Sequence, residues 1–162
     1  VDYQGRKLET IKTFHEHVIP EEGLKLDEDA LEFTQIIPDH PFRMAISEKE
    51  MLEKFSKEVN EACKETGCSR AVLVGHNGQF DLSFLQQAAL RQNIELPLHR
   101  FLVFDTATLS AVFLGETVLA RAVRKAGMYF DDEQAHGALY DATITAKLFS
   151  KLINQADVDL RQ

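Results

Sequence analysis

Residues 71–85 alternate sharply in character. Val72, Leu73 and Val74 form a continuous apolar run, Gly75 to Gln79 form a polar knot, and Leu82, Phe84 and Leu85 resume the apolar pattern around Asp81. A short apolar run closed by glycine predicts a buried strand over 71–74, and the spacing beyond it predicts a helix over 79–91 with Leu82, Phe84 and Leu85 on its inner face. In "SEKEMLEKFSKEVNEACKETG", Met51, Phe55, Val59 and Cys63 recur every fourth residue. Ser47 and Glu50 form a capping box, and Gly67 is a C-terminal stop. Further pattern predicts a turn at residues 3–6 and a strand over 8–18 ended by Pro20. A short helix capped at Asp27 stops before Pro38. A strand follows over 101–104, then helices over 106–114, 117–126 (ended by Gly127) and 137–154. Early strands followed by strand–helix alternation predict an α/β fold, a mixed sheet flanked by helices.

The chain of 162 residues is long enough for one domain with a real core, so a single domain over 1–162 is expected. It is 44% hydrophobic and 27% charged, which places it among globular chains. No apolar run is long enough to span a membrane and no secretory signal is visible. Cys63 and Cys68 are too few for a disulfide framework or a zinc site, and Cys63, on the apolar stripe, is expected as a buried reduced thiol. A cytoplasmic location is the expectation that follows. The formal net charge of −8 argues against nonspecific wrapping of duplex nucleic acid, though not against a site for a chain end. The acids of residues 21–32 and 131–133 are expected to be solvated surface.

Two acids stand where burial is about to begin. Asp81 follows the polar knot. Asp141 lies in "AHGALYDATITAKLFSKLI" on the stripe of Ala138, Ala142, Thr145, Phe149 and Leu152. Either alone fits a helix cap or an arginine partner. Two inward carboxylates beside a histidine favour a hard divalent cation, magnesium or manganese. His136 precedes Asp141 by five residues, so on a helix the two would face different ways. His136 is therefore placed in the loop before the helix, as a general base or as a helix-start residue without a role.

These residues resemble a known family. "His76-Asn77-Gly78-Gln79-Phe80-Asp81" is similar to the second motif of the DEDD exonucleases, and "His136-Gly137-Ala138-Leu139-Tyr140-Asp141" to the third motif of their histidine-bearing subgroup. Within it, "FDTATLSAVFLGETVLARAVRKAGMYFDDEQAHGALYDATITAKLF" resembles the ribonuclease T branch almost without gaps. The resemblance runs from about Leu8 to Ile153. It implies a ribonuclease H-like mixed sheet and 3′-to-5′ hydrolysis of single-stranded RNA or DNA ends, as in trimming tRNA precursors and other stable RNA. It implies two Mg2+ or Mn2+ ions held in part by Asp81 and Asp141, with His136 taking the proton from the attacking water. It also implies a homodimer. Phe33, Phe80 and Phe101, with His76 and Asn77, would contact nucleic acid, whereas periodicity alone makes each phenylalanine a core residue. Asp105 is expected first as an N-cap and second as a residue behind the site.

The family's first motif, a strand ending in Asp-x-Glu, has no counterpart before Leu8. The expectation is a domain that lacks its first, central strand and is inactive or nearly so by itself. The competing expectations are a catalytically dead module that binds nucleic-acid ends or dimerises, and a proofreading-type DNA exonuclease.

Overall fold

The computed structural model describes residues 2–4, 7–38 and 40–156. In chain order the elements are β1 (Asp2–Gln4), β2 (Lys7–Glu9), α1 (Glu28–Thr34), α2 (Glu48–Thr66), β3 (Ala71–Gly75), α3 (Gly78–Gln92), β4 (Leu98–Asp105), α4 (Thr106–Leu114), α5 (Leu119–Lys125) and α6 (Ala138–Ala156). The mixed α/β arrangement is the one expected. β1 and β2 pair antiparallel, with Tyr3 opposite Leu8. β3 and β4 form a second pair. Its strands run the same way, because Ala71 N–H donates to Pro97 O (3.4 Å) at one end and Thr106 Oγ1 donates to Gly75 O (3.1 Å) at the other. α3 is the crossover that a parallel pair requires. Part of the turn expected at residues 3–6, residues 5 and 6, lies outside the described residues.

The described chain packs as two compact units, Val1–Thr13 with Val72–Ser83 and Leu98–Gln162, and Phe14–Ala71 with Phe84–Pro97. In the first, α6 supplies the centre. Ile144, Leu148 and Leu152 pack with Ala122, Val123 and Phe130, while Phe149 and Ile153 pack with Leu8. Phe104 of β4 meets Phe149 at 5.5 Å between ring centroids. Asn154 ties β2 to this helix. Its amide accepts from Leu8 N–H (2.7 Å) and donates to Leu8 O (3.1 Å). No single described helix is long and apolar enough to cross a membrane.

In the second unit, Ser47 Oγ caps α2 by accepting from Glu50 N–H, and Gly67 ends it. The apolar stripe is displaced from the one read in the sequence. Leu52 is fully buried, while Met51, Phe55, Val59 and Cys63 are only half-buried. Glu48, the first residue of α2, is buried and meets Arg91 of α3 through both carboxylate oxygens (3.2 and 2.5 Å). That hydrogen-bonded guanidinium, opposed by burial, holds the Glu48 carboxyl below the usual range.

The strand expected over 8–18 is a correction: only its first residues belong to β2. Residues 10–16 belong to none of the described strands: their apolar positions, Ile11 and Phe14, stand three apart rather than two, and no ladder joins them among the described residues. Pairing resumes at the isolated parallel bridge between Val18 and Ile46.

The displaced stripe gives a direct comparison. Leu52→Ala is expected to cost about 2–5 kcal/mol, as for a fully buried leucine, and Met51→Ala clearly less. Urea unfolding followed by far-UV ellipticity checks the order.

Candidate active site

The polar knot is a turn pressed between two glycines. A Cβ at Gly75 would stand 2.6 Å from Gly78 Cα and 3.3 Å from Asp81 Oδ2, and one at Gly78 would stand 2.8 Å from Val103 Cγ1. Only glycine permits this approach, which brings the first turn of α3 onto the end of β3. Asn77 takes the left-handed conformation (φ 65°), and its carbonyl accepts from Phe80 N–H at 2.9 Å.

Asp105, the last residue of β4, holds the turn. Its Oδ1 accepts from Asn77 N–H (2.8 Å) and from Ala107 N–H (3.1 Å), and its Oδ2 accepts from Thr108 Oγ1 (2.7 Å). It is the N-cap of α4, as expected, and it also reaches across to the neighbouring strand's loop. Burial works to raise its pKa, but the bonds from Thr108, Asn77 and Ala107 together hold the carboxyl below its ordinary value.

His76 braces the same turn from the other side. Its Nε2 donates to Thr117 O (2.7 Å), and its Nδ1 lies 3.0 Å from the fully buried Thr106 Oγ1. Thr117 is fixed in turn by Glu116, whose Oε1 accepts from Thr117 N–H (2.9 Å) and Val118 N–H (3.1 Å) and whose Oε2 meets Arg121 Nε (3.1 Å).

Asp81 is exposed as a residue, yet its carboxyl lies against the glycine turn. Burial pushes its pKa above the ordinary value, and a bond from its own backbone N–H only partly opposes this. Asp141, half-buried, sits in the first turn of α6, where its N–H donates to Gly137 O (2.9 Å). It faces inward because it shares a stripe with Thr145, Leu148 and Leu152, which are buried. Ala138 and Ala142, expected as its neighbours on that stripe, are exposed. Among the described residues neither Asp81 nor Asp141 forms an ion pair.

His136 lies in the loop before α6, as its spacing required, exposed and with a left-handed backbone (φ 69°). The loop is well pinned. Tyr140 OH accepts from Asp131 N–H (2.6 Å), Asp131 accepts from Glu133 N–H (3.0 Å) and Gln134 Nε2 (2.6 Å), and Asp132 pairs with Arg124 (2.5 Å). Arg124 also stands 5.3 Å over the Phe130 ring. The acids of 131–133, expected to be solvated surface, do lie at the surface, Asp132 and Glu133 exposed, and two of them also hold this loop.

The three phenylalanines read from periodicity as core are all at the surface: Phe33 is 63% exposed, Phe80 59% and Phe101 77%. Phe84, expected on the inner face of α3, is 63% exposed, while Leu82 is buried. The structure brings His76, Asn77, Asp81 and Asp105 together around one turn. His136 and Asp141 belong to the same packed unit, whereas Phe33 lies in the other. Among the described residues no group of three His, Cys, Asp or Glu stands ready to hold a metal ion. The bracing roles of Glu116, Asp131 and Tyr140 escaped the sequence reading because bonds to backbone leave no periodic signal.

The two shifted carboxyls predict opposite pH behaviour. For Asp105 the folded pKa lies below the unfolded value of about 3.9. Its stabilisation is therefore complete above that pH and lost as pH falls through the folded value. Asp105→Ala is expected to cost about 1–3 kcal/mol near neutrality, from the lost cap and unpaired donors, and much less in strong acid. Denaturant titrations at the two pH values test it. For Asp81 the folded pKa is raised, so stability is lost as pH rises from the unfolded value through the folded one. Asp81→Asn is expected to be more stable than wild type at pH 7 without divalent cations, and equal or worse once both proteins are compared in strong acid. Thermal melts in chelator decide this.

The exonuclease family model matches residues 1–149 of this chain. Ribonuclease T of Yersinia enterocolitica is 49% identical over 145 residues, which cover 89% of this chain and 67% of that protein. Ribonuclease T of Salmonella typhimurium is 48% identical over 144 residues, covering 88% and 67%. The mixed α/β fold is consistent with the ribonuclease H-like architecture the resemblance implied. With a braced motif turn, an acid-bearing helix and identity at this level over nearly its whole length, the chain belongs to the exonuclease family that includes ribonuclease T.

Proposed function

We propose that the activity this chain serves is the trimming of single-stranded nucleic acid from the 3′ end, with tRNA precursors and other stable RNA as substrates, in the manner of ribonuclease T. The observation that carries the reading is the exposure of Phe33, Phe80 and Phe101. Single exposed rings are ordinary on a protein surface, and these three stand at the positions that the family resemblance assigns to nucleic acid. Every base offers a π-face, and stacking is worth about 1–3 kcal/mol per base with little sequence readout. Asn77 O accepts from Phe80 N–H (2.9 Å), while His76 keeps the turn in shape.

Asp81 and Asp141 suit Mg2+ or Mn2+ by donor type, since both offer hard oxygen and neither is neutralised by a basic partner. When bound, such a cation offsets phosphate charge and acidifies a water. His136, on its pinned loop, would take a proton at its imidazole nitrogen, and Asp81 and Asp141 would hold the cation. The fit is complete in type and short in number, because the described residues bring no third ligand to either acid. The 162-residue chain alone therefore binds divalent cations weakly and trims slowly or not at all. A homodimer would let a second copy offer basic groups to an anionic substrate that a chain of net charge −8 does not otherwise attract.

The shortage of ligands also favours a second reading, a module that holds nucleic-acid ends without cutting them. One experiment covers both. Anisotropy of a labelled single-stranded RNA is expected to show binding stronger than to a blunt duplex, weakened on the order of tenfold by Phe101→Ala. Trimming by the chain alone in Mg2+ is expected to be at most marginal, and to appear when a strand ending in Asp-x-Glu is added, dependent on Asp141. Binding without trimming after that addition supports the end-holding module. Equal affinity for duplex and single strand, unchanged by Phe101→Ala, rejects both.

A further inference from the structure

Only two cysteines occur in the chain, and the end of α2 places them at one structural motif. Gly67 follows the helix in the left-handed conformation (φ 70°). Its N–H donates to Lys64 O (3.4 Å), and Cys68 N–H donates to Cys63 O (2.9 Å). This pair of bonds is a Schellman cap, and the residues it joins across the glycine, Cys63 and Cys68, stand at the two positions whose side chains frequently touch in that motif. With the covalent geometry on either side, the 2.9 Å bond keeps their Cα atoms within about 6.8 Å. A disulfide needs roughly 4.4–6.8 Å.

We infer that Cys63 and Cys68 form a thiol–disulfide site across the C-terminal cap of α2. Both are free thiols in the structure, Cys68 exposed and Cys63 half-buried. Their closeness is also felt electrostatically: burial first, and the Cys68 thiol second, push the Cys63 thiol up. The order of reaction follows from access. The Cys68 thiolate attacks a low-molecular-weight disulfide such as oxidised glutathione, forming a mixed disulfide and releasing one glutathione thiolate. The Cys63 thiolate then attacks the Cys68 sulfur, the mixed disulfide breaks, and the second glutathione leaves. Two protein thiols are oxidised and one glutathione disulfide is reduced to two thiols, with the protons passing to solvent or to the departing thiolates. The product ties the last turn of α2 to the segment that leads into β3 at Ala71. Whether it is populated is set by the thiol–disulfide poise of the surroundings against the stability of this bridge.

The test does not depend on nuclease activity. The native chain is equilibrated with mixtures of oxidised and reduced glutathione, quenched by alkylation, and read by intact and peptide mass. Wild type is expected to lose two hydrogens and yield one peptide bridged between Cys63 and Cys68. Cys63→Ala is expected to stop at glutathione bound to Cys68, and Cys68→Ala to react far less. The bridge is expected to form at least tenfold more favourably in the native chain than in the chain unfolded in urea, because the cap holds the two thiols together. A bridge no more favourable in the native chain than in the unfolded one overturns the inference. So does a wild-type reaction that halts at the mixed disulfide, or disulfides that join two chains.

Discussion

One carboxylate, Asp105, organises what matters in this structure. It ends β4, starts α4, and reaches the backbone of Asn77 in the turn that follows β3. Without an acceptor at that point, the left-handed Asn77 would present a donor with no partner, and the first turn of α3 would lose its anchor. Asp81 sits on that first turn, with its carboxyl against Gly75. The direction of the Asp105 shift reflects the same geometry: donors converge on its charged form and outweigh the cost of burying it.

The site is thus built by side chains that satisfy backbone groups. His76 and Glu116 brace the turn through Thr106 and Thr117, while Asp131 and Tyr140 do the equivalent for the loop that bears His136. Asp81 and Asp141 stand apart from this network. They are acids without basic partners among the described residues, and burial opposes the charge on Asp81. Such groups cost stability in isolation, and a bound cation relieves that cost. Asp105 and Asp131 are ringed by side-chain and backbone donors, whereas Asp81 and Asp141 meet no basic side chain among the described residues.

The helices were legible wherever the sequence carried both a period and a cap: Ser47 and Gly67 for α2, Asp27 for α1 and the 106–114 segment for α4. The motif residues were legible through their resemblance to a family. Two kinds of feature were not. The stretch from Leu8 to Val18, read as one strand ended by Pro20, pairs only at its start and at the Val18 bridge, because pairing is a property of neighbours and not of the segment. Apolar rings at 33, 80, 84 and 101 looked like core, because periodicity records hydrophobicity and not what covers it. The shift of the α2 stripe from Met51 to Leu52 has a related cause, since a four-residue repeat drifts around a helix of 3.6 residues per turn.

The central claim is that the charged Asp105 carboxylate holds the motif turn through the Asn77 amide. Following the Asn77 amide proton shift by NMR while pH is lowered tests it most directly. The account predicts a large upfield movement with a midpoint below the ordinary aspartate range, matching the titration of Asp105 itself, and its absence in Asp105→Asn. An Asn77 amide that does not respond to acid, or one that moves with a midpoint at or above the ordinary aspartate value, would contradict it.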